Sequence, residues 1–85
     1  MTEQEQAIVD YIRLVVIGDA AVQIDEDTPL VSSGLIDSMA LMDILGKLED
    51  VTSMRIPAGK VQAKDVDSVR QMFATAARVG RARRR

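Results

Sequence analysis

The 85-residue chain has room for one small domain, and 47% of its residues are hydrophobic, which is typical of a folded protein. It contains no cysteine and no histidine, which excludes disulfides, thiolate or imidazole metal sites and serine–histidine catalysis. The formal net charge is −2, but five arginines fall within residues 78–85, and without those five charges residues 1–77 carry −7. An acidic body disfavours nucleic acid and favours basic protein partners.

The first predicted helix spans residues 3–16. Thr2 and Glu5 have the spacing of a capping box, which satisfies free N–H groups at a helix start. Gly18 is the expected C-cap. Apolar residues recur at helical spacing and predict one buried stripe. The stripe consists of Ala7, Ile8, Tyr11, Ile12, Val15 and Val16.

A long polar connection over residues 19–37 follows, rich in turn-forming residues at 25–29 and 32–34. Connections of this length without regular structure are usually functional, or else the assignment of the elements is wrong. We expect apolar side chains to hold this one against the core. These are Ile24, Leu30, Val31, Leu35 and Ile36.

The second helix is predicted over residues 38–49, with Asp37 as its N-cap, because a carboxylate suits the positive end of the helix dipole. A short helical turn is predicted over 60–64. The last helix is predicted over 68–77, capped by Asp67 or alternatively Asp65. Its buried stripe is Val69, Met72, Phe73 and Ala76.

These elements predict an all-α fold, a small bundle of three main helices plus one short helix. The predicted domain covers residues 1–77. Residues 78–85 are interpreted as a basic C-terminal tail, expected to be disordered. The acidic, polar start of the chain is unlike a signal peptide, and no apolar run approaches a membrane span, so we expect a cytoplasmic protein. A monomer is the default expectation.

The most informative stretch is residues 34–39, Gly-Leu-Ile-Asp-Ser-Met. It places the hydroxyl of Ser38 at a helix N-terminus beside the carboxylate of Asp37. A serine after an aspartate is often only a cap. Catalysis by Ser38 would need a base, and the chain offers no histidine. A modification site fits better, because a helix N-terminus favours an attached phosphodiester.

Four other segments of the sequence accompany this motif. Residues 27–30 (Asp-Thr-Pro-Leu) precede it, residues 41–50 follow it as a second helix, and residues 56–57 (Ile-Pro) and 65–69 (Asp-Val-Asp-Ser-Val) lead to the last helix. Over residues 3–73 the sequence therefore resembles the acyl carrier and peptidyl carrier protein family, and the acyl-carrier-like helical fold is what this resemblance implies.

The resemblance implies that Ser38 is esterified by the phosphate of 4′-phosphopantetheine, transferred from coenzyme A by a separate magnesium-dependent phosphopantetheinyl transferase. It implies that Asp37 assists that transferase and its metal. The thiol of the arm would hold an acyl or aminoacyl group as a thioester. The chain itself would be a carrier and not an enzyme.

In the family, the second helix is the main recognition surface. Carried over to this chain, its partner-binding residues would be Met39, Met42, Asp43, Gly46 and Glu49. A methionine stripe is more often core filling than binding surface. Here the core face is already supplied by other residues, so we expect Met39 and Met42 to be exposed. That core face is Leu41, Ile44, Leu45 and Leu48.

The chain departs from fatty-acid carriers at Ala40, where many have an acidic residue, and at Gly46 and Lys47 in the second helix. These departures disfavour the partners of primary fatty-acid synthesis, and the Gly-Leu-Ile-Asp-Ser form of residues 34–38 looks more like discrete carriers loaded by a dedicated adenylating ligase. Fatty-acid-like, polyketide and nonribosomal peptide-type biosynthesis all stay open. So do two other functions, an unmodified helical adaptor and a nucleic-acid binder that uses the arginine tail; the acidic body disfavours the second.

Overall fold

The structure is a computed structural model that describes residues 1–82. Three α-helices form its framework: α1 (Glu3–Tyr11), α2 (Ala40–Thr52) and α3 (Val69–Val79). Two 3₁₀ turns, Ala58–Lys60 and Ala63–Val66, stand where the sequence predicts a single short helix. The predicted all-α architecture is confirmed.

Helix α1 begins at the predicted capping box. The Thr2 hydroxyl accepts from the Glu5 N–H at 3.0 Å, and the Glu5 carboxylate accepts from the Thr2 N–H at 2.9 Å. After Tyr11 the helix widens into a π-helical segment, Ile12–Ile17, which ends at Gly18 in the left-handed conformation (φ +76°).

The π-helical segment overturns part of the predicted apolar stripe. Spacing of 3.6 residues per turn would place Val15 on the buried side, but its side chain is 64% exposed. The wider i→i+5 turn rotates it outward. Ile8 and Ile12, which precede or open the π-helical segment, are fully buried as predicted.

Helix α2 runs antiparallel to α1. The side chain of Gln4, at the start of α1, donates to the carbonyl of Val51, near the end of α2, at 3.2 Å. The helix begins two residues after the predicted start and continues to Thr52, three residues past the predicted end. Ser53 terminates it in the left-handed conformation (φ +55°).

Helix α3 is capped by Ser68, whose hydroxyl accepts from the Gln71 N–H at 3.2 Å. The prediction that Asp67 caps this helix is wrong, and so is the alternative, Asp65. Asp65 instead belongs to the 3₁₀ turn, where it accepts from the Gln62 N–H at 3.0 Å. The carboxylate of Asp67 is used elsewhere, as described below.

The first residues of the predicted tail, 78–85, take part in secondary structure. Arg78 lies in the last turn of α3, which continues to Val79. Two short strands, β1 (Met54–Arg55) and β2 (Arg81–Ala82), then pair antiparallel. Pairing between distant segments leaves no periodic signal in so short a stretch, so the sequence did not predict this ribbon. Residues 83–85 lie outside the described residues.

The core lies between the three helices and the connections around them. The Cα radius of gyration is 11.9 Å, about the value expected for a compact chain of this length. None of the helices within residues 1–82 combines the length and apolar character needed to cross a membrane. The buried apolar residues are Ile8, Val9, Ile12, Leu30, Ile36, Leu41, Ile44, Leu45, Leu48, Ile56, Val66, Val69, Met72 and Ala76.

Candidate functional site

Ser38 lies in a turn at the entrance to α2, with its side chain exposed. Its carbonyl accepts from the Leu41 N–H at 3.3 Å, so residues 38 and 39 form a tight turn before the regular helix begins at Ala40. The cap is made by Asp37, whose carboxylate accepts from the Ala40 N–H at 2.9 Å. The residue directly before α2, Met39, makes no side-chain cap, so Asp37 supplies the side-chain bond to the first N–H of the helix.

The segment before Ser38 folds back on itself. Gly34 adopts the left-handed conformation (φ +78°), and its N–H donates to the carbonyl of Val31 at 3.0 Å. The Ile36 N–H donates to the carbonyl of Leu30 at 3.1 Å. Leu30 and Ile36 are buried, so the turn is fixed to the core at both ends. The second anchor, Ile36, is followed directly by Asp37 and Ser38, so the site begins where the turn is held.

Leu35 does not anchor the connection, contrary to the prediction. The turn at Gly34 directs its side chain outward, where it is 37% exposed. It lines an open hollow next to Ser38, where the end of the π-helical segment meets the start of α2. The hollow is lined by Val16, Ile17, Leu35, Ile36, Asp37 and Ala40.

Asp67 holds the connection from the other side of the chain. One carboxylate oxygen accepts from three consecutive backbone N–H groups, those of Leu30 (3.2 Å), Val31 (2.7 Å) and Ser32 (2.9 Å). The other oxygen accepts from the Ser32 hydroxyl at 2.6 Å. No local spacing rule predicts this contact, because Asp67 lies 35 to 37 residues along the chain from its partners.

These bonds change the acidity of Asp67. Hydrogen bonds from Ser32, its hydroxyl first, lower the pKa of the Asp67 carboxyl below its usual value. A lowered pKa in the folded state means that the carboxylate stabilises the fold at pH values above the ordinary carboxyl range. That contribution is lost as the pH falls through the lowered pKa.

Exposed apolar side chains gather at the end of the molecule that holds Ser38. On α2, Met39 is 81% and Met42 is 63% exposed, as predicted. Leu14 and Val15 are exposed on the π-helical segment, which meets the start of α2. Apart from Met1 and Leu35, these are the large apolar side chains found exposed within residues 1–82.

The remaining predicted partner residues lie farther along α2. Asp43 is exposed, and together with Gly46 it lines a groove beside Tyr11. The ammonium of Lys47 lies 5.6 Å from the centroid of the Tyr11 ring, a cation–π contact that fixes this lysine against α1. Glu49 has a structural contact, since its half-buried carboxylate accepts from the Ile56 N–H at 2.7 Å.

A comparison with known families decides the class of the protein. The family model for the phosphopantetheine attachment site matches residues 7–78. The chain belongs to the phosphopantetheine attachment site family. No curated protein and no solved structure was found to match it.

The site of this phosphopantetheine-bearing carrier domain suits its cofactor, 4′-phosphopantetheine, which the family carries covalently. An exposed hydroxyl stands at the positive end of α2, where a phosphodiester is favoured. The neighbouring carboxylate of Asp37 is exposed as well, and carboxylate oxygens are ligands that magnesium accepts. The cofactor, when bound, supplies the thiol that this cysteine-free chain lacks.

Proposed function

We propose that Ser38 carries the 4′-phosphopantetheine arm and that the chain presents an acyl or aminoacyl group, held as a thioester on that arm, to partner enzymes. The observation that supports this most is that Asp37, and not Ser38, caps the start of α2. Asp37 caps the helix, and among residues 1–82 the exposed hydroxyl of Ser38 makes no hydrogen bond that the fold would lose on its modification. The alternative in which Ser38 serves only as a helix cap loses its main support.

Within this proposal the chain performs attachment and presentation and leaves the chemistry to its partners. Asp37 assists the phosphopantetheinyl transferase by binding its magnesium ion. The acyl transfers occur on partner enzymes, since the chain has neither histidine nor cysteine to act as base or nucleophile. A cytoplasmic, monomeric carrier is part of the same proposal.

We assign partner recognition to the exposed face at the start and middle of α2, formed by Met39, Met42, Asp43 and Gly46. The two methionines offer a flexible apolar surface that different enzymes can cover. Asp43 adds a negative charge for a basic partner. Glu49 contributes at the far end of this face, although its carboxylate also holds the Ile56 N–H.

The partners proposed are the transferase, a loading ligase and downstream synthase enzymes. Lys47, fixed over Tyr11, interrupts the acidic character of α2. This feature, with Ala40 after the methionine, argues against the enzymes of primary fatty-acid synthesis, and the Gly-Leu-Ile-Asp-Ser form of residues 34–38 favours a dedicated adenylating ligase. The pathway is proposed only at the level of fatty-acid-like, polyketide or nonribosomal peptide-type biosynthesis.

Changing Met39 to glutamate is expected to weaken recognition by the transferase. A charge at the centre of an apolar contact typically costs about 1–3 kcal/mol of binding, so KM for the carrier should rise about fivefold to a hundredfold. Thermal stability should stay near the wild-type value, because the side chain is 81% exposed. Steady-state kinetics at several carrier concentrations measure the change.

The matched control is Ala77→Glu, which adds the same charge to an exposed position on α3. Its KM is expected to equal that of the wild type. An equal loss in both variants would mean that added negative charge alone, and not the methionine face, is responsible.

The proposal is tested on the wild-type chain by intact-protein mass after incubation with coenzyme A, magnesium and a broad-specificity phosphopantetheinyl transferase. One added phosphopantetheinyl group is expected, together with a newly reactive thiol. A folded, initially unmodified protein that gains no group would contradict the proposal and leave an unmodified helical adaptor as the function.

A further inference from the structure

Asp67 joins two parts of the chain that are far apart in sequence. Its carboxylate receives four hydrogen bonds from residues 30–32, and its own carbonyl accepts a further one from the Leu30 N–H at 2.7 Å. Three successive N–H groups directed at one carboxylate oxygen hold the backbone of that segment in a single arrangement. No other side chain within residues 1–82 makes as many bonds to the connection that precedes Ser38.

Asp67 itself has little freedom to move. Val66 before it and Ser68 after it are both buried, and Ser68 caps α3. The Asp67 N–H also donates to the Gln71 side chain at 3.1 Å. The backbone at the start of α3 therefore holds the Asp67 carboxylate in a fixed position.

Further backbone hydrogen bonds connect the segment bound by Asp67 to the turn that precedes Ser38. Leu30, bound by Asp67, accepts from the Ile36 N–H at 3.1 Å, and Ile36 directly precedes Asp37. Val31, also bound by Asp67, accepts from the Gly34 N–H at 3.0 Å. The position of the turn that displays Ser38 thus depends on the arrangement that Asp67 imposes on residues 30–32.

We propose that Asp67 is a positioning residue for the modification of Ser38, holding the turn in the conformation that the phosphopantetheinyl transferase recognises. The inference rests on the proposed function, because it takes Ser38 as the attachment site. Asp67 does not touch the reacting hydroxyl. It acts through residues 30–32 and the bond from Ile36 to Leu30.

A purely stabilising role predicts a different result from a positioning role. If the bonds to Asp67 are lost and the turn occupies the recognised arrangement about a tenth of the time, KM for the carrier rises about tenfold. Once bound, the turn is held by the enzyme, and kcat stays within about twofold of the wild type. A loss of stability alone, in a chain that is still fully folded, changes neither constant.

The test compares Asp67→Ala and Asp67→Asn with the control Arg70→Ala, at a temperature where circular dichroism shows every variant folded. Arg70 also ties α3 to the same connection, but through Asp27 at 2.6 Å, before the segment that Asp67 holds. The readouts are KM and kcat with the transferase and the hydrogen exchange rates of the Val31 and Ser32 amides.

For Asp67→Ala we expect a KM about tenfold higher, unchanged kcat and faster exchange of both amides. Asp67→Asn keeps the shape of the side chain but loses its charge, and it is expected to show smaller changes in the same direction. If the alanine variant does not fold, the asparagine variant provides the test. Arg70→Ala is expected to keep the wild-type KM.

Wild-type KM in both Asp67 variants, or an equal rise of KM in Arg70→Ala, would overturn the inference. If the wild type itself gains no phosphopantetheinyl group, the proposed function fails instead. In that case the exchange rates of Val31 and Ser32 still report whether Asp67 holds the segment.

Discussion

Replacing Ser38 with alanine is expected to abolish phosphopantetheine attachment and to leave the fold intact. The change removes the oxygen that would form the phosphodiester, so no residual transfer at this position is possible. Because Asp37 makes the cap at the start of α2, the free energy of unfolding should change by less than about 1 kcal/mol. Intact-protein mass and urea denaturation measure the two effects separately.

The matched control for this substitution is Ser53→Gly. Ser53 is exposed at the opposite end of α2 and adopts φ +55°, a conformation that glycine accepts without strain. This variant is expected to gain one phosphopantetheinyl group, like the wild type. Full modification of Ser38→Ala would place the attachment site on another residue and contradict the proposed function.

Replacing Leu48 with alanine is expected to produce the largest loss of stability among the variants considered. Leu48 is fully buried on the face of α2 that packs into the core. Removing a buried leucine side chain costs about 2–5 kcal/mol through lost burial and the cavity it leaves. A domain of this size has only about 4–13 kcal/mol of stability in total. Urea denaturation measures the change.

The control for this second prediction is Leu14→Ala, the same chemical change at a position that is 51% exposed. It is expected to alter the free energy of unfolding by no more than about 0.5 kcal/mol. Equal destabilisation by the two substitutions would show that the assignment of the buried face is wrong.

The helices were predictable because each has an apolar face with helical spacing. Ile44 and Leu48, four residues apart, are both fully buried on α2. The widening of the first helix after Tyr11 was not predictable from periodicity, which assumes one spacing throughout. As a result Val15, placed by the sequence in the core, is exposed.

The parts of the candidate site that depend on residues close together in the sequence were predictable. The Asp37–Ser38 pair and the exposure of Met39 follow from neighbouring residues and from the family resemblance. The role of Asp67 does not, since its partners are reached only after the chain folds. A signal was present, however: Asp67 and Ser68 are both good helix caps, and α3 needs only one. Because Ser68 caps α3, the Asp67 carboxylate was available to bind residues 30–32.

The most direct test of the account is to locate the added group in the modified wild-type chain by tandem mass spectrometry of its tryptic peptides. Cleavage after Arg13 and Lys47 releases residues 14–47, a peptide that contains Ser32, Ser33 and Ser38. The account predicts the phosphopantetheinyl group on Ser38 alone. A group on Ser32 or Ser33, or none in this peptide, would contradict it.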